Sequence, residues 1–406
     1  MSAVALYREM GLKGYEVEDT WEGGNGALFV LVSVPRDSWR CRSCHGKRVH
    51  LHEWKQRFWK AAPLGLTPVV VTLKTPRVKC LRCGSRTRHQ PTFVEGQRQV
   101  TKAFEACLEG WLSRLTIQDA VEVFGVSWHT VCEIDLRRLK KLSRPALKGL
   151  RRLAIDENSL GKLHKSVTLV VDLDTRAVVS VTPGRGQAAL KGFFLRLKRA
   201  GAKIQAVATD MAGGDIAAVV KHLPTARLVF DHFHVIKLMN EKLTTLRRDL
   251  YRELKDHLGR DVLKGIRWLL LKNPENLTQN EQVDERQRLA DALQLNQPLA
   301  TAYDLKEDLR QFWNQKSLVA ADRFLSHWCR RAQATGIRVL PTMSKTLLAH
   351  RTGLLNWYLE PISSGPIEGI NNKIGALQRR AYGYRNYEHL KQRLLTLHHT
   401  KFTLNG

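Results

Sequence analysis

Two periodicities alternate along the chain. Apolar positions first recur every second residue on both sides of GGNG (23 to 26), where Asn25-Gly26 suits a hairpin turn, and again in VTLKTPRVKC (71 to 80), which reads as a strand. From Val100 the spacing becomes helical. TIQDAVEVFGVSWHTVCEI (116 to 134) has the spacing of two short helices about a turn at Gly125, with Val126 and Val131 inward and Ser127 capping the second helix. Alternation returns in RRLAIDE (151 to 157), SVTLVVDL (166 to 173) and AVVSVTP (177 to 183), with a turn at Asp174-Thr175-Arg176, which predicts an antiparallel three-strand meander. A helix (188 to 200), a strand ending at Asp210, a helix (214 to 222), a strand ending at Asp231 and a further helix follow. From about 246 to 345 the pattern is helical throughout, and GPIEGINNKIGALQRR opens a last helical segment.

The order βββαβαβα is that of the RNase H fold. The expected architecture is therefore α/β, an RNase H-like core with a mixed sheet, carrying an all-α insertion and preceded by a zinc-ribbon β element and a helix-turn-helix. In residue terms, 1–95 is the β element with its four-cysteine zinc ribbon and 96–149 the helix-turn-helix DNA-binding domain. The first part of the core is 150–245, the helical insertion 246–345, and the final part of the core 346–406.

Charge narrows the partner. Of 406 residues, 66 are Lys or Arg and 38 Asp or Glu, a formal net charge of +28, while 43% hydrophobic and 26% charged residues exclude a disordered chain, a collagen or a coiled-coil rod. No apolar run approaches the roughly 18 residues that span a bilayer, and the start MSAVALYREMGLKGYEV lacks a signal peptide's regions. The expectation is a cytoplasmic, nucleoid-associated protein with no membrane partner, whose polyanion is double-stranded DNA. Residues 36 to 102 hold 16 Lys or Arg against three acids, interleaved with Trp39, Trp54, Phe58 and Trp59. Either this is a phosphate-contacting face, or the aromatics are core and the charges solvated.

Four of the seven cysteines form two CxxC pairs, Cys41 with Cys44 and Cys80 with Cys83. Two such knuckles supply the four thiolates of one structural zinc site. His45, His50, His52 and His89 are substitute ligands in reach of the pattern, but four cysteines already close a tetrahedron. Cys107, Cys132 and Cys329 read as buried thiols.

In the RNase H-like half, Asp156 lies mid-way on the first strand, Asp210 ends the fourth and Glu368 lies on a later helix, the places where nucleases of that fold hold their carboxylates. Hard oxygen ligands suit two Mg²⁺ (or Mn²⁺) ions per site, with positions left open for water and phosphate. Asp156 sits inside an apolar strand, where an unpaired charge is costly. Glu157 points to the other face and reads as a wall of the site. TPGRGQ (182 to 187) is no P-loop, so ATP is not indicated.

These motifs, DE (156, 157), TDM (209 to 211), FDHFHV (230 to 235), SSGPIEGINNKI (363 to 374) and RRAYGYRN (379 to 386), resemble those of the ISL3 family of bacterial insertion-sequence transposases. The double CxxC and the helix-turn-helix fit that family's arrangement, so the resemblance covers nearly the whole chain. It implies that Asp156, Asp210 and Glu368 are the DDE triad and that DNA transposition is the activity. Asp231 competes with Asp210 for the second ligand position, and Asp210 is preferred. The Asp231 motif looks like the Cys-x-x-His element of related transposases, which makes Asp231 and His234 support for the active site.

DNA contacts are expected in two places. The helix starting near Ser127 projects Trp128, His129 and Thr130 toward a major groove, with Arg137, Arg138, Lys140 and Lys141 reaching phosphates. On the last segment, Asn371 and Asn372 follow Glu368 by three and four positions, and Lys373, Arg379, Arg380 and Arg385 extend the contact. The leading expectation is a transposase acting on its terminal inverted repeats and on target DNA, as a homodimer or higher oligomer. The competing readings are a DNA-binding regulator with an inactive RNase H-like domain, and a junction nuclease of the same fold.

Overall fold

The computed structural model describes residues 10–143, 145–160, 166–253, 257–278, 284–384 and 386–399. These fall into two units, the described residues of 1–142 with 379–385, and those of 143–378 with 386–399. Arg385 lies outside the described residues.

The first unit begins with β1 (Glu16–Glu22) and β2 (Leu28–Ser33), antiparallel about the turn at Asn25-Gly26, where the Gly23 amide bonds the Ala27 carbonyl at 2.8 Å. β3 (Val49–Leu64) and β4 (Thr67–Cys80) form a long hairpin, β5 (Arg86–Arg88) pairs with β4, and the order is β1-β2-β4-β3. Alternation carries Val69, Val71 and Leu73 of β4 into a core with Val30, Val32 and Trp59. The aromatic positions separate here. Trp39 and Trp59 are core, whereas Trp54 and Phe58, on the edge strand β3, are about half exposed.

Three helices follow: α1 (Lys102–Trp111), α2 (Ile117–Phe124) and α3 (Trp128–Leu142). A reciprocal cap between Thr116 and Asp119 starts α2. Gly125 ends it at φ 57°, a left-handed conformation that β-branched or bulky residues disfavour. The Thr130 amide donates to Ser127 Oγ at 3.2 Å, so Ser127 does cap α3. Phe104, Leu108, Phe124, Val131 and Ile134 fill the space between the helices.

The second unit contains a five-stranded sheet ordered β10-β9-β6-β7-β8. β6 (Arg152–Ser159), β7 (Ser166–Asp172) and β8 (Val178–Pro183) are the expected meander. α4 (Gly186–Ala200), β9 (Ala206–Thr209), α5 (Gly213–His222), β10 (Arg227–Phe230) and α6 (His232–Glu253) then add two strands parallel to β6. Leu153 and Ile155 of β6 and Val207 of β9 pack on Leu190, Phe193 and Leu197 of α4 and Val219 of α5. Odd-numbered positions of β6 therefore face these helices, and Ala154, Asp156 and Asn158 face the other way.

Beyond α6 the described chain is helical: α7 (His257–Gly265), α8 (Arg267–Leu271), α9 (Glu285–Gln294), α10 (Gln297–Arg310), α11 (Leu318–Ala334), α12 (Val339–Ala349) and α13 (Arg351–Leu355). Met239 and Leu243 of α6 share one core with Leu305, Leu309, Trp328 and Met343, so these helices pack on the helix that leads into them. Buried Lys306 is satisfied by the Leu270 and Lys272 carbonyls at 2.9 and 3.2 Å and by Glu307. Gly353 of α13 lies so close to β10 that an added Cβ would come within 2.3 Å of the Phe230 ring. The chain closes with α14 (Gly365–Arg380) and α15 (Tyr387–Leu395).

Candidate active site

The sheet's register builds the site. β6 pairs with β9 from Arg152↔Ala206 to Ala154↔Ala208, and β9 with β10 from Ala206↔Arg227 to Thr209↔Phe230. Continuing both registers to the strand ends sets Asp156, Asp210 and Asp231 in one row on three adjacent strands, each step about 4.8 Å.

Each carboxylate in the row is held differently. Asp156 is half-buried, and its oxygens accept the Glu157 amide and Asn371 Nδ2, both at 2.8 Å. Burial pushes its carboxyl up; these two bonds and the nearby His234 pull it down, Asp210 pushes it up, and the net is a rise. Asp210 Oδ1 accepts the Ala212 amide at 2.9 Å, just ahead of α5. Asp231 is fully buried and already engaged, accepting Ser364 Oγ at 2.8 Å and lying 3.0 Å from His232 Nδ1. Burial would raise its carboxyl, but His232 and Ser364 outweigh that and hold it below the usual range.

α14 is pinned across this row. Ile367, Ile370 and Ile374 are buried and fix its rotation. Ser364, Glu368 and Asn371, spaced by four and three, form one stripe. Ser364 bonds Asp231 at the end of β10, and Asn371 bonds Asp156 and accepts from Asn158 Nδ2 at 2.7 Å on β6. Glu368 lies between the two pinned residues along the helix and is exposed. Asn372 and Lys373 are exposed as well.

Glu157 occupies the opposite face, where its carboxylate accepts the Gly186 amide at 3.2 Å and meets Arg185 Nε at 3.2 Å. Beside it is a residue that sequence reasoning missed. Asp215, in the first turn of α5, is 1% exposed, neither carboxylate oxygen has a hydrogen-bond partner, and burial together with Glu157, Asp210 and Asp156 pushes it up to about 7. Its one sequence signal is an acid five positions after Asp210, which looks like an ordinary helix-start residue.

The cysteines form a second, separate centre in the first unit. Cys41, Cys44, Cys80 and Cys83 have all ligand atoms within 4.8 Å of one another, with Cys41···Cys83 at 3.6 Å and Cys44···Cys80 at 3.5 Å between sulfurs. A tetrahedron of thiolates around zinc has edges of about 3.8 Å, and a disulfide is about 2 Å, so the spacing fits a metal. The two knuckles repeat each other: the Cys41 amide bonds the Gly46 carbonyl and the Cys80 amide the Ser85 carbonyl, both at 2.9 Å. Ser85 and the backbone of Cys44 pull the Cys41 thiol down, while the neighbouring sulfurs of Cys80 and Cys83 push the Cys44 thiol up, so the four thiols share their protons unevenly. His89 bonds Tyr15 at 3.1 Å instead of joining the cluster. Among the described residues no other group of three or more His, Cys, Asp or Glu is as close; the carboxylates of Asp156, Asp210 and Glu368 stand wider.

The helix-turn-helix residues separate into two sets. Trp128 and His129 are exposed at the start of α3, and Lys140 and Lys141 are exposed at its end. Thr130 Oγ1 is engaged with Ser127 Oγ at 2.9 Å. Arg137 is 3.2 Å from buried Glu105 of α1 and ties the two helices together, whereas Arg138 pairs within α3, 2.9 Å from Asp135, whose side chain is fully buried. Arg379 is exposed, while Arg380 bonds the Arg114 carbonyl and lies 4.0 Å from Asp119.

A family model described as a transposase, that of the ISL3 group, matches residues 153–394. The transposase for insertion sequence element IS1001 of Bordetella parapertussis is 32% identical over 385 residues, 93% of this chain and 94% of that protein. The transposase for insertion sequence element IS1557 of Mycobacterium tuberculosis is 30% identical over 424 residues, 95% of this chain and 92% of that protein. A solved Drosophila P element transposase strand transfer complex aligns more distantly, with a TM-score of 0.36 and 13% identity over 76% of this chain and 94% of the other. No described helix is long and apolar enough to cross a membrane. By the family match and by its likeness to these relatives along most of their length, the chain belongs to the ISL3 family of transposases.

Proposed function

We propose that the protein binds the terminal inverted repeats of its insertion sequence and catalyses magnesium-dependent DNA strand cleavage and strand transfer, with Asp156, Asp210 and Glu368 as the catalytic carboxylates of an RNase H-like core. The observation that carries this reading is the pinning of α14, which carries Glu368, to the acidic row: Ser364 bonds Asp231 and Asn371 bonds Asp156 on either side of Glu368 in the sequence. The antiparallel meander followed by two parallel strands, ordered β10-β9-β6-β7-β8, supports the core assignment.

The donor set fits divalent cations, because it is all oxygen, and a burial-raised carboxylate such as Asp156 gains most from a cation beside it. Two such ions when bound supply charge stabilisation for an in-line displacement at phosphorus and a more acidic water. The chain's own residues do the rest. Asn371 fixes the Asp156 oxygens, the Ala212 amide orients Asp210, and exposed Asn372 and Lys373 extend the same helix toward a DNA strand. His234 lies near enough to Asp156 to bear on its charge.

In the first unit, Trp128 and His129 read base edges, Lys140 and Lys141 hold phosphates, and one zinc ion fixes the two knuckles. Synapsis of two transposon ends requires at least a dimer, and the site of action is the bacterial nucleoid in the cytoplasm.

The test uses full-length protein and DNA carrying the element's own ends. Asp156→Asn, Asp210→Asn and Glu368→Gln each abolish Mg²⁺-dependent cleavage and strand transfer while end binding survives. Cleavage retained by Asp210→Asn or Glu368→Gln would overturn the assignment.

A further inference from the structure

β9 and β10 end at the acidic row, and a different kind of site lies at their other end, about 13 Å away along four-residue strands. There the last turns of α4 and α5 and the loops leading into both strands enclose a cavity of about 890 Å³. Four cations converge on it from four segments: Lys198 on α4, Lys203 in the loop after it, Lys221 on α5 and Arg227 on β10. One carboxylate, Glu360, is among the lining residues, and Arg227 already holds it at 2.9 Å. The side chains of Lys198, Lys203 and Lys221, all exposed, have no ion pair and no hydrogen bond among the described residues, so three ammonium groups line one space without a counter-charge.

Helix ends account for part of this and no more. Lys198 and Lys221 each complement the carbonyl end of their own helix, but Lys203 and Arg227 are not on helices, and like charges brought together repel unless an anion joins them. The cavity's floor adds a second chemistry. Phe194, Leu197, Ile204 and Leu223 line it, and His222 stacks on Phe194 with ring centroids 5.5 Å apart and planes 25° apart. Phe194 is buried beneath His222, so the half-buried His222 ring is the flat face left open beside the cations, which suits a ligand that carries phosphate on one side and a sugar or base on the other.

We propose that this cavity is a phosphate-binding site for a nucleotide unit, supplied by the backbone of a DNA strand that runs past the sheet's far end. It is separate from the acidic row, and it stands whether or not Asp156, Asp210 and Glu368 cut DNA. A free mononucleotide presents the same chemistry, so the experiment distinguishes the two sources.

The measurement is binding of full-length protein to a duplex without terminal repeats, at several salt concentrations. Lys198→Gln/Lys203→Gln/Lys221→Gln is compared with Lys264→Gln/Lys316→Gln/Lys345→Gln, which removes the same charge from exposed positions of the helical insertion. Both sets lie on the surface, and thermal midpoints check that both fold. The cavity variant is expected to lower the slope of log K against log salt by about 2 to 3, near 0.9 for each phosphate no longer neutralised, and to lower affinity at least tenfold at low salt, while the insertion variant changes the slope by less than 1. Titration of wild type with AMP and with inorganic phosphate forms the second arm. AMP binding that the cavity variant abolishes, with no difference between the two variants on DNA, assigns the site to a free nucleotide and overturns the DNA source. Equal slopes for both variants with no binding of AMP or phosphate overturns the site altogether.

Discussion

Asn371 Nδ2 lies 2.8 Å from Asp156 Oδ2, and the same amide's oxygen accepts Asn158 Nδ2 at 2.7 Å. A helix residue thereby sets the orientation of a strand carboxylate whose burial already raises its affinity for protons. Asn371→Ala frees Asp156 to rotate. Cleavage is expected to fall about 10- to 100-fold, the usual cost of losing a group that orients a metal ligand, and more Mg²⁺ is needed for half-maximal activity. Asn371→Asp places a second negative charge against Asp156 and is expected to be worse than Ala. A Mg²⁺ titration of both variants decides it: an unchanged metal requirement in Asn371→Ala makes the hydrogen bond a packing detail.

Asp210 and Asp231 occupy neighbouring positions of the row but fail differently. Asp231 is fully buried and bonds Ser364 Oγ at 2.8 Å, so Asp231→Ala leaves that hydroxyl and His232 without their partner and loosens the start of α14. A loss of about 1 to 3 kcal/mol in unfolding free energy is expected, with cleavage reduced in proportion to α14 disorder. Asp210→Ala is expected to melt near wild type with no cleavage. Urea unfolding of both variants, read beside single-turnover cleavage, separates them; an inactive Asp231→Ala of normal stability would make Asp231 the ligand.

The basic end of α3 mixes two roles that charge counting cannot separate. Arg137→Ala leaves Glu105 buried beside Arg98 alone and is expected to destabilise the first unit by about 1 to 3 kcal/mol. Lys140→Ala/Lys141→Ala is expected to leave stability unchanged and to weaken specific and random DNA binding together, lowering the salt slope by roughly 2. His129→Ala should instead reduce the ratio of specific to random binding, by about 1 to 3 kcal/mol for a base edge no longer read. If Arg137→Ala melts at the wild-type temperature, its ion pairs carry no structural weight.

Much of this molecule was legible before the structure. The order βββαβαβα, the strand ends at Asp210 and Asp231, and the turn at Gly125 follow from periodicity and local chemistry, which act over a few residues. The cysteine cluster was legible because ligand spacing within each knuckle is local too. What sequence could not give depends on distant partners. Arg137 and Lys140 look alike in a basic run, and only the buried acid opposite Arg137 distinguishes them. Trp54 and Trp59 stand five positions apart on β3 and so point to opposite faces, one half exposed and the other core, and only the rest of the sheet shows which face is covered. Asp215 resembles a helix-start acid until β6 brings Glu157 beside it.

Zinc should behave as part of the first unit's fold. Native protein is expected to carry one equivalent, and chelation or Cys41→Ser to unfold the β hairpin region, because a preformed cluster with sulfur spacings of 3.5 and 3.6 Å has little else to hold it. Metal analysis finding under about half an equivalent in native protein would remove zinc from the site.

Asp215 gives the second unit a pH dependence of definite sign. Its folded-state carboxyl is pushed up to about 7 by burial and by Glu157, Asp210 and Asp156, whereas in the unfolded chain it titrates near 3.8. The folded state therefore binds more protons between these values. The contribution to stability is fully present below about pH 4 and is lost as pH rises through about 7. Asp215→Asn keeps the shape and carries no charge, so it should match wild type near pH 4 and become the more stable protein as pH rises, by at most about 4 kcal/mol at pH 8. Chemical denaturation in EDTA from pH 5 to 8 reads this directly. A stability difference that stays constant across that range would mean that Asp215 is ionised throughout, and that some group in the solution protein meets the two oxygens left unpartnered here.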